Sequence, residues 1–131
     1  MKRFHLLWGV VVAGTTMAAH AEDYTQRWTR LANEHLAMVK EEPGKSYERE
    51  LIATHNTFWR DVSKKCKSLA IKAGIEKFSA LAVLDADGTV VEFLTMPKSQ
   101  ELGCYVEQMT GRHYPRPPSA PFYELITVRT K

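Results

Sequence analysis

Apolar positions along this chain keep three rhythms, each confined to its own stretch. From Glu22 to Glu42 they recur at steps of three and four. Tyr24, Trp28, Leu31, His35, Met38 and Val39 share one side of an expected helix. Glu22 and Asp23 stand at its start, where the helix dipole favours acids, and Pro43-Gly44 is the expected stop. Ser46 is the natural cap for a second helix, with Glu48 and Glu50 in its first turn. Leu51, His55, Phe58, Trp59, Val62, Cys66, Leu69 and Ala73 extend the same spacing to Gly74, a C-terminal cap. His55-Asn56-Thr57 is the poorest helix-forming stretch, and a bend is expected there.

The second rhythm is β-like. Phe78 to Ala86 and Thr89 to Met96 are rich in Val, Leu and Phe, and Asp87-Gly88 joins them as a hairpin turn. Asp85-Ala86-Asp87-Gly88 opens like a calcium loop, but Met96 stands where such a loop needs its twelfth-position glutamate. The turn reading therefore wins. Ser99 then caps a short helix carrying Leu102, Tyr105, Val106 and Met109, with Gly111 as its stop. The prolines between Arg112 and Pro121 exclude helix and central strand, and Phe122 to Arg129 reads as a closing strand. The expected fold is α+β: two N-terminal helices on a small three-stranded antiparallel sheet, with a short helix between strands two and three.

The third rhythm is an unbroken apolar run. Lys2 and Arg3 precede Leu6 to Ala13, and Ala19-His20-Ala21 offers a small-x-small cleavage site. Residues 1–21 read as a secretory signal peptide whose core is too short to span a bilayer. The mature chain, residues 22–131, is then exported, with no stable membrane insertion after cleavage. It has about 110 residues, enough for one small domain. Lys2 and Arg3 leave with the leader and no acid does, so the net charge of +3 falls to +1. That near-neutral balance removes the compositional case for a nucleic-acid partner. Cys66 and Cys104 are the only two cysteines. In an oxidising compartment they read as one disulfide. They form no CxxC and have no close histidine, so no metal site and no cofactor are expected.

Several of these pieces together resemble the C-terminal domain of TonB-like energy-transducing proteins. The resemblance is carried by Leu81-Ala82-Val83-Leu84-Asp85-Ala86-Asp87-Gly88-Thr89-Val90-Val91, by Cys104-Tyr105-Val106-Glu107-Gln108-Met109, and by Tyr114-Pro115-Arg116-Pro117-Pro118 before the final strand. It covers residues 66–131, and the cysteine upstream of the hairpin looks like that of a periplasmic, disulfide-containing variant. The resemblance implies a sheet able to accept a partner strand. Energy-transducing members keep an uncleaved anchor and a long proline-rich spacer; here a cleavable leader and two helices stand in their place, so coupling to a membrane motor is not carried over.

Candidate chemistry is sparse. No nucleophile elbow, phosphate-binding glycine loop or zinc helix motif occurs, so the chain reads as a binding protein and not as an enzyme. His35 and His55 fall on apolar helix faces and read as packing residues, whereas His113 lies in a polar setting. Lys64, Lys65, Lys67, Lys72 and Lys77 crowd the end of the second helix and read as a solvated face. Arg112, His113, Tyr114, Arg116 and Tyr123 combine arginine and tyrosine with rigid prolines, the composition of a recognition segment. The expectation is a small periplasmic module that recognises a protein or envelope component through a sheet edge and residues 112–123. The alternative is a periplasmic immunity or inhibitor protein that neutralises a secreted toxin or wall hydrolase.

Overall fold

Asp23 opens the first helix, α1 (Tyr24–Lys40). Its carboxylate accepts from the Gln26 amide while the Gln26 side chain accepts from the Asp23 amide, which satisfies two otherwise orphaned donors. The computed structural model describes residue 14 and residues 21–131. The leader read over residues 1–21 thus lies almost wholly outside the described residues. Among those, no helix is long and apolar enough to cross a membrane.

The second helix, α2 (Gly44–Lys72), begins earlier than its sequence suggests. Ser46 does not cap it; the Ser46 amide instead donates to the Glu42 carboxylate at 3.1 Å. Gly44, read as a stop, is a start. A Cβ on it would stand 1.9 Å from the Met38 carbonyl oxygen, so only glycine lets α2 set out this close to the end of α1. The helix then runs unbroken through His55-Asn56-Thr57, its poorest helix-forming stretch. Tertiary packing of its apolar face outweighs three weak helix formers. Gly74, at φ +76°, closes it as anticipated, with the Ile75 amide donating to the Ala70 carbonyl.

Strands β1 (Lys77–Leu84), β2 (Val90–Met96) and β3 (Phe122–Arg129) form an antiparallel sheet in the order β2-β1-β3. Leu81 lies opposite Leu94 on one side and Leu125 on the other. A 3₁₀ turn (Gln100–Leu102) and helix α3 (Gly103–Met109) lie between β2 and β3. The α+β arrangement expected from sequence is the one found.

The sheet is covered on both faces. Phe78, Ala80, Ala82 and Leu84 pack with residues of α2 and α3, while Leu81 and Val83 turn the other way onto Trp28, Leu31 and Ala32 of α1. Double coverage is why β1 reads as a nearly continuous apolar run and not as a clean alternation. Helix α1 crosses its face diagonally. The Tyr24 hydroxyl and Trp28 indole donate to the Thr95 and Leu94 carbonyls of β2, while His35 reaches Tyr123 of β3. A Cys66–Cys104 disulfide ties α2 to α3 beneath the opposite face.

The segment after α3 acts as a strap. Val90 exchanges backbone hydrogen bonds with Gly111 and Arg112, and the Tyr114 amide donates to the Gly88 carbonyl at 2.9 Å. Gly88 has φ +84°, and a Cβ there would lie 2.2 Å from the Tyr114 carbonyl oxygen. The strap pairs along the outer edge of β2, then passes the hairpin end to enter β3.

Candidate functional site

The five residues expected to form a recognition segment are dispersed. Arg112 is half-buried, its guanidinium 4.7 Å above the Phe58 ring and its Nε donating to the Gln108 carbonyl. His113 is exposed beside it, Nδ1 3.0 Å from the Thr89 hydroxyl, and both line a shallow hollow of about 450 Å³. Arg116 is exposed near the turn, 3.6 Å from Asp87. Tyr114 is buried: its ring lies parallel to that of His55, and its hydroxyl is 2.9 Å from His55 Nδ1. Burial holds the Tyr114 hydroxyl above its ordinary range and His55 below its own, so both stay neutral near pH 7. Tyr123 packs against α1 on the far side of the sheet. The structure therefore brings Arg112 and His113 together, sets Arg116 by the hairpin, and places both tyrosines elsewhere.

The outer edge of β3 offers a more continuous surface. The Thr130 amide donates inward to Glu76, whereas the Tyr123 carbonyl is reached from outside by His35. Alternation along the strand then turns the backbone groups of Tyr123, Leu125, Thr127 and Arg129 away from β1. His35 occupies the first of these. Leu125, Thr127 and Arg129 have no hydrogen-bond partner for those groups among the described residues. Beside them runs a groove of about 310 Å³ between β3 and the middle of α2, bordered by Leu51, Ile52, His55 and Trp59. Ile52 is 46% exposed there, an apolar side chain with nothing on it.

No family model, curated protein or solved structure matches this chain. Its own geometry has to carry the functional reading.

One cluster escaped the sequence reading. His35 of α1, Glu48 of α2 and Glu124 of β3 meet where the end of α1 overhangs the β3 edge. The His35 Nδ1–H donates to the Tyr123 carbonyl at 2.7 Å, which leaves Nε2 as an acceptor, 3.5 Å from a Glu48 carboxylate oxygen. A Glu124 oxygen lies 3.9 Å from Nδ1, is buried, and has no hydrogen-bond partner among the described residues. Burial, then a hydrogen bond donated by the protonated Glu124 carboxyl to Glu48, pushes Glu124 up to about 9. A signal for it did exist in the sequence. Phe122, Glu124, Ile126 and Val128 occupy one alternating face of the closing strand, and an acid among three apolar neighbours marks a buried charge that needs a partner.

Proposed function

We propose that the mature chain is an exported, periplasmic protein-binding module, not an enzyme, that takes an extended segment of its partner as an added strand on the outer edge of β3. The observation that carries this reading is the run of outward backbone groups at Leu125, Thr127 and Arg129 beside a groove that mixes Leu51, Ile52 and Trp59 with His55, Asn56 and Glu124. An extended peptide laid there would satisfy those groups, and every second side chain would drop toward Ile52 and Trp59. A disulfide-stapled scaffold suits such a role, because a rigid edge loses little entropy when a strand is added. Strand acceptance is also what the TonB-like resemblance implied. His113 and Arg116 remain exposed polar groups at the hairpin end, available to a partner that extends past the groove.

Hydrogen exchange and a blocking variant test the proposal together. Thr127→Pro removes one outward N–H without touching the ladder to β1, a substitution edge strands tolerate. Proteins captured from periplasmic extract by the wild type are expected to be lost from Thr127→Pro and from Ile52→Asp. The captured partner, once purified, should slow exchange of the Leu125 and Thr127 amides. Undiminished capture by both variants, with those amides unprotected, refutes the reading.

A further inference from the structure

We propose that His35, Glu48 and Glu124 form a binding site for one divalent transition-metal ion of the zinc type. The inference stands apart from strand acceptance and rests on the cluster alone. One donor atom from each residue lies within 4.8 Å of the others. His35 Nε2 and the Glu48 oxygen, at 3.5 Å, already have about the spacing of two ligands held ~2 Å from one tetrahedral ion. The third donor, Glu124, is buried, and its unsatisfied oxygen lies 3.9 Å from the Nδ1 side of the His35 ring. A carboxyl buried there keeps its proton until a cation displaces it, and two carboxylates and an imidazole around one divalent ion leave no charge unanswered.

The orientation of His35 points the same way. Metal-ligating histidines characteristically donate their second ring N–H to a carbonyl or carboxylate, which fixes the tautomer and aims the other nitrogen at the ion. His35 does this through Nδ1–H to the Tyr123 carbonyl. Glu48 is half-buried, so the ion has a way in from solvent. The mixed nitrogen and oxygen donors select the metal. Imidazole with carboxylate suits Zn²⁺, while Ca²⁺ and Mg²⁺ prefer oxygen alone. No such spacing could be seen in the chain because the donors come from two helices and a strand.

Calorimetric titration of the oxidised mature chain, stripped with chelator, tests the site with Zn²⁺, Ca²⁺ and Mg²⁺ as separate probes. One Zn²⁺ per chain is expected, together with a Zn²⁺-dependent rise in melting temperature. Glu124→Gln, His35→Gln and Glu48→Gln should each weaken Zn²⁺ binding by more than about tenfold. Glu48 is half-exposed, so Glu48→Gln keeps the test valid if a buried substitution fails to fold. Three outcomes overturn the proposal: no Zn²⁺ uptake by the wild type, equal uptake by wild type and Glu48→Gln, or Ca²⁺ binding as strong as Zn²⁺ binding.

Discussion

The two edges of the sheet are treated in opposite ways. Along β2, the strap takes both backbone groups of Val90, Tyr24 caps the Thr95 carbonyl, and Arg27 grips Glu92 through two hydrogen bonds of 2.7 and 2.9 Å. Among the described residues, the outward groups of Phe93 and the Thr95 amide have no partner there. Along β3, His35 takes the Tyr123 carbonyl, and the outward groups of the next three positions stay open among the described residues. Unprotected edges invite pairing with other chains, so proteins usually cover, charge or shorten them. Both edges adjoin a hollow, of about 540 Å³ beside Phe93 and Thr95 on β2 and about 310 Å³ on β3, but the strap and the α1 side chains answer part of the β2 edge, whereas Leu125, Thr127 and Arg129 of β3 stay open in succession. That contrast is the physical ground for placing recognition on β3.

The largest expected effect comes from removing what anchors the strap. Cys66–Cys104 closes 38 residues and holds α3, from which the strap departs. Loop-closure entropy for that span is worth about 4 kcal/mol, so Cys66→Ala with Cys104→Ala should lower unfolding free energy in urea by roughly that amount. Amide exchange at Val90 should quicken more than at Leu81, because the strap loosens before the central strand opens. Equal quickening at both would mean that the edge cover and the sheet unfold as one unit.

Gly88→Ala comes next. The residue sits at φ +84°, and the new methyl would meet the Tyr114 and Pro115 carbonyl oxygens at 2.2 and 2.7 Å. The left-handed backbone alone costs about 1–2 kcal/mol for a residue with a Cβ, and the contact has to be relieved by lifting the strap. We expect a loss of about 2–3 kcal/mol and a new tendency to self-associate through the bared β2 edge, measured by denaturation and sedimentation. A destabilised variant that stays monomeric would show that the strap is not what keeps β2 from pairing.

How much of this contrast was legible beforehand differs by level. Helices spaced by Trp28, Leu31, Val62 and Cys66, the Asp87-Gly88 hairpin and the disulfide follow from periodicity, turn chemistry and cysteine count, all local properties of the chain. Strand order was not local. Nothing in Phe122–Arg129 says that it pairs with β1 and not with β2, and the edges could not be told apart without that. Ser46 misled because a good capping residue lay two positions inside a helix whose start depends on Gly44 meeting Met38. Tyr114 misled because an aromatic in a proline-rich segment resembles a contact residue, whereas its ring fills the space beside His55 and Phe58. The His35, Glu48 and Glu124 cluster draws on three elements, and only the acid on the inward face of β3 hinted at it.

His55 links the two edges, since it borders the β3 groove and contacts the tyrosine that anchors the strap. Burial lowers its proton affinity below the ordinary value of 6.5. Between that value and the lower folded one, the unfolded chain binds a proton that the folded chain does not, so this residue's contribution is intact above pH 6.5 and is lost as pH falls. Glu124 works in the opposite direction across the same range, so the comparison has to be made between variants. From pH 7.5 to pH 5.5 the urea midpoint of the wild type should drop relative to that of His55→Phe, whichever way both curves move. Parallel curves would place His55 in contact with solvent and detach the strap from any control by pH.

The smallest effect belongs to the Arg27–Glu92 pair. Its geometry is bidentate, and Glu92 is held below the usual carboxylate range by the guanidinium hydrogen bonds, yet the two side chains are 37% and 41% exposed. Water and salt screen such a pair, so a double-mutant cycle on Arg27→Ala and Glu92→Ala should return no more than about 1 kcal/mol, and less at high salt. Its consequence for pairing is larger than its consequence for stability. With both side chains gone, no charged residue of β2 stands between the strap and Tyr24, and a peptide selected for β3 gains a second place to add. Wild-type protein should bind one such peptide per chain and the Arg27→Ala/Glu92→Ala double variant more than one; unchanged stoichiometry would assign the protection of β2 to the strap and Tyr24 alone.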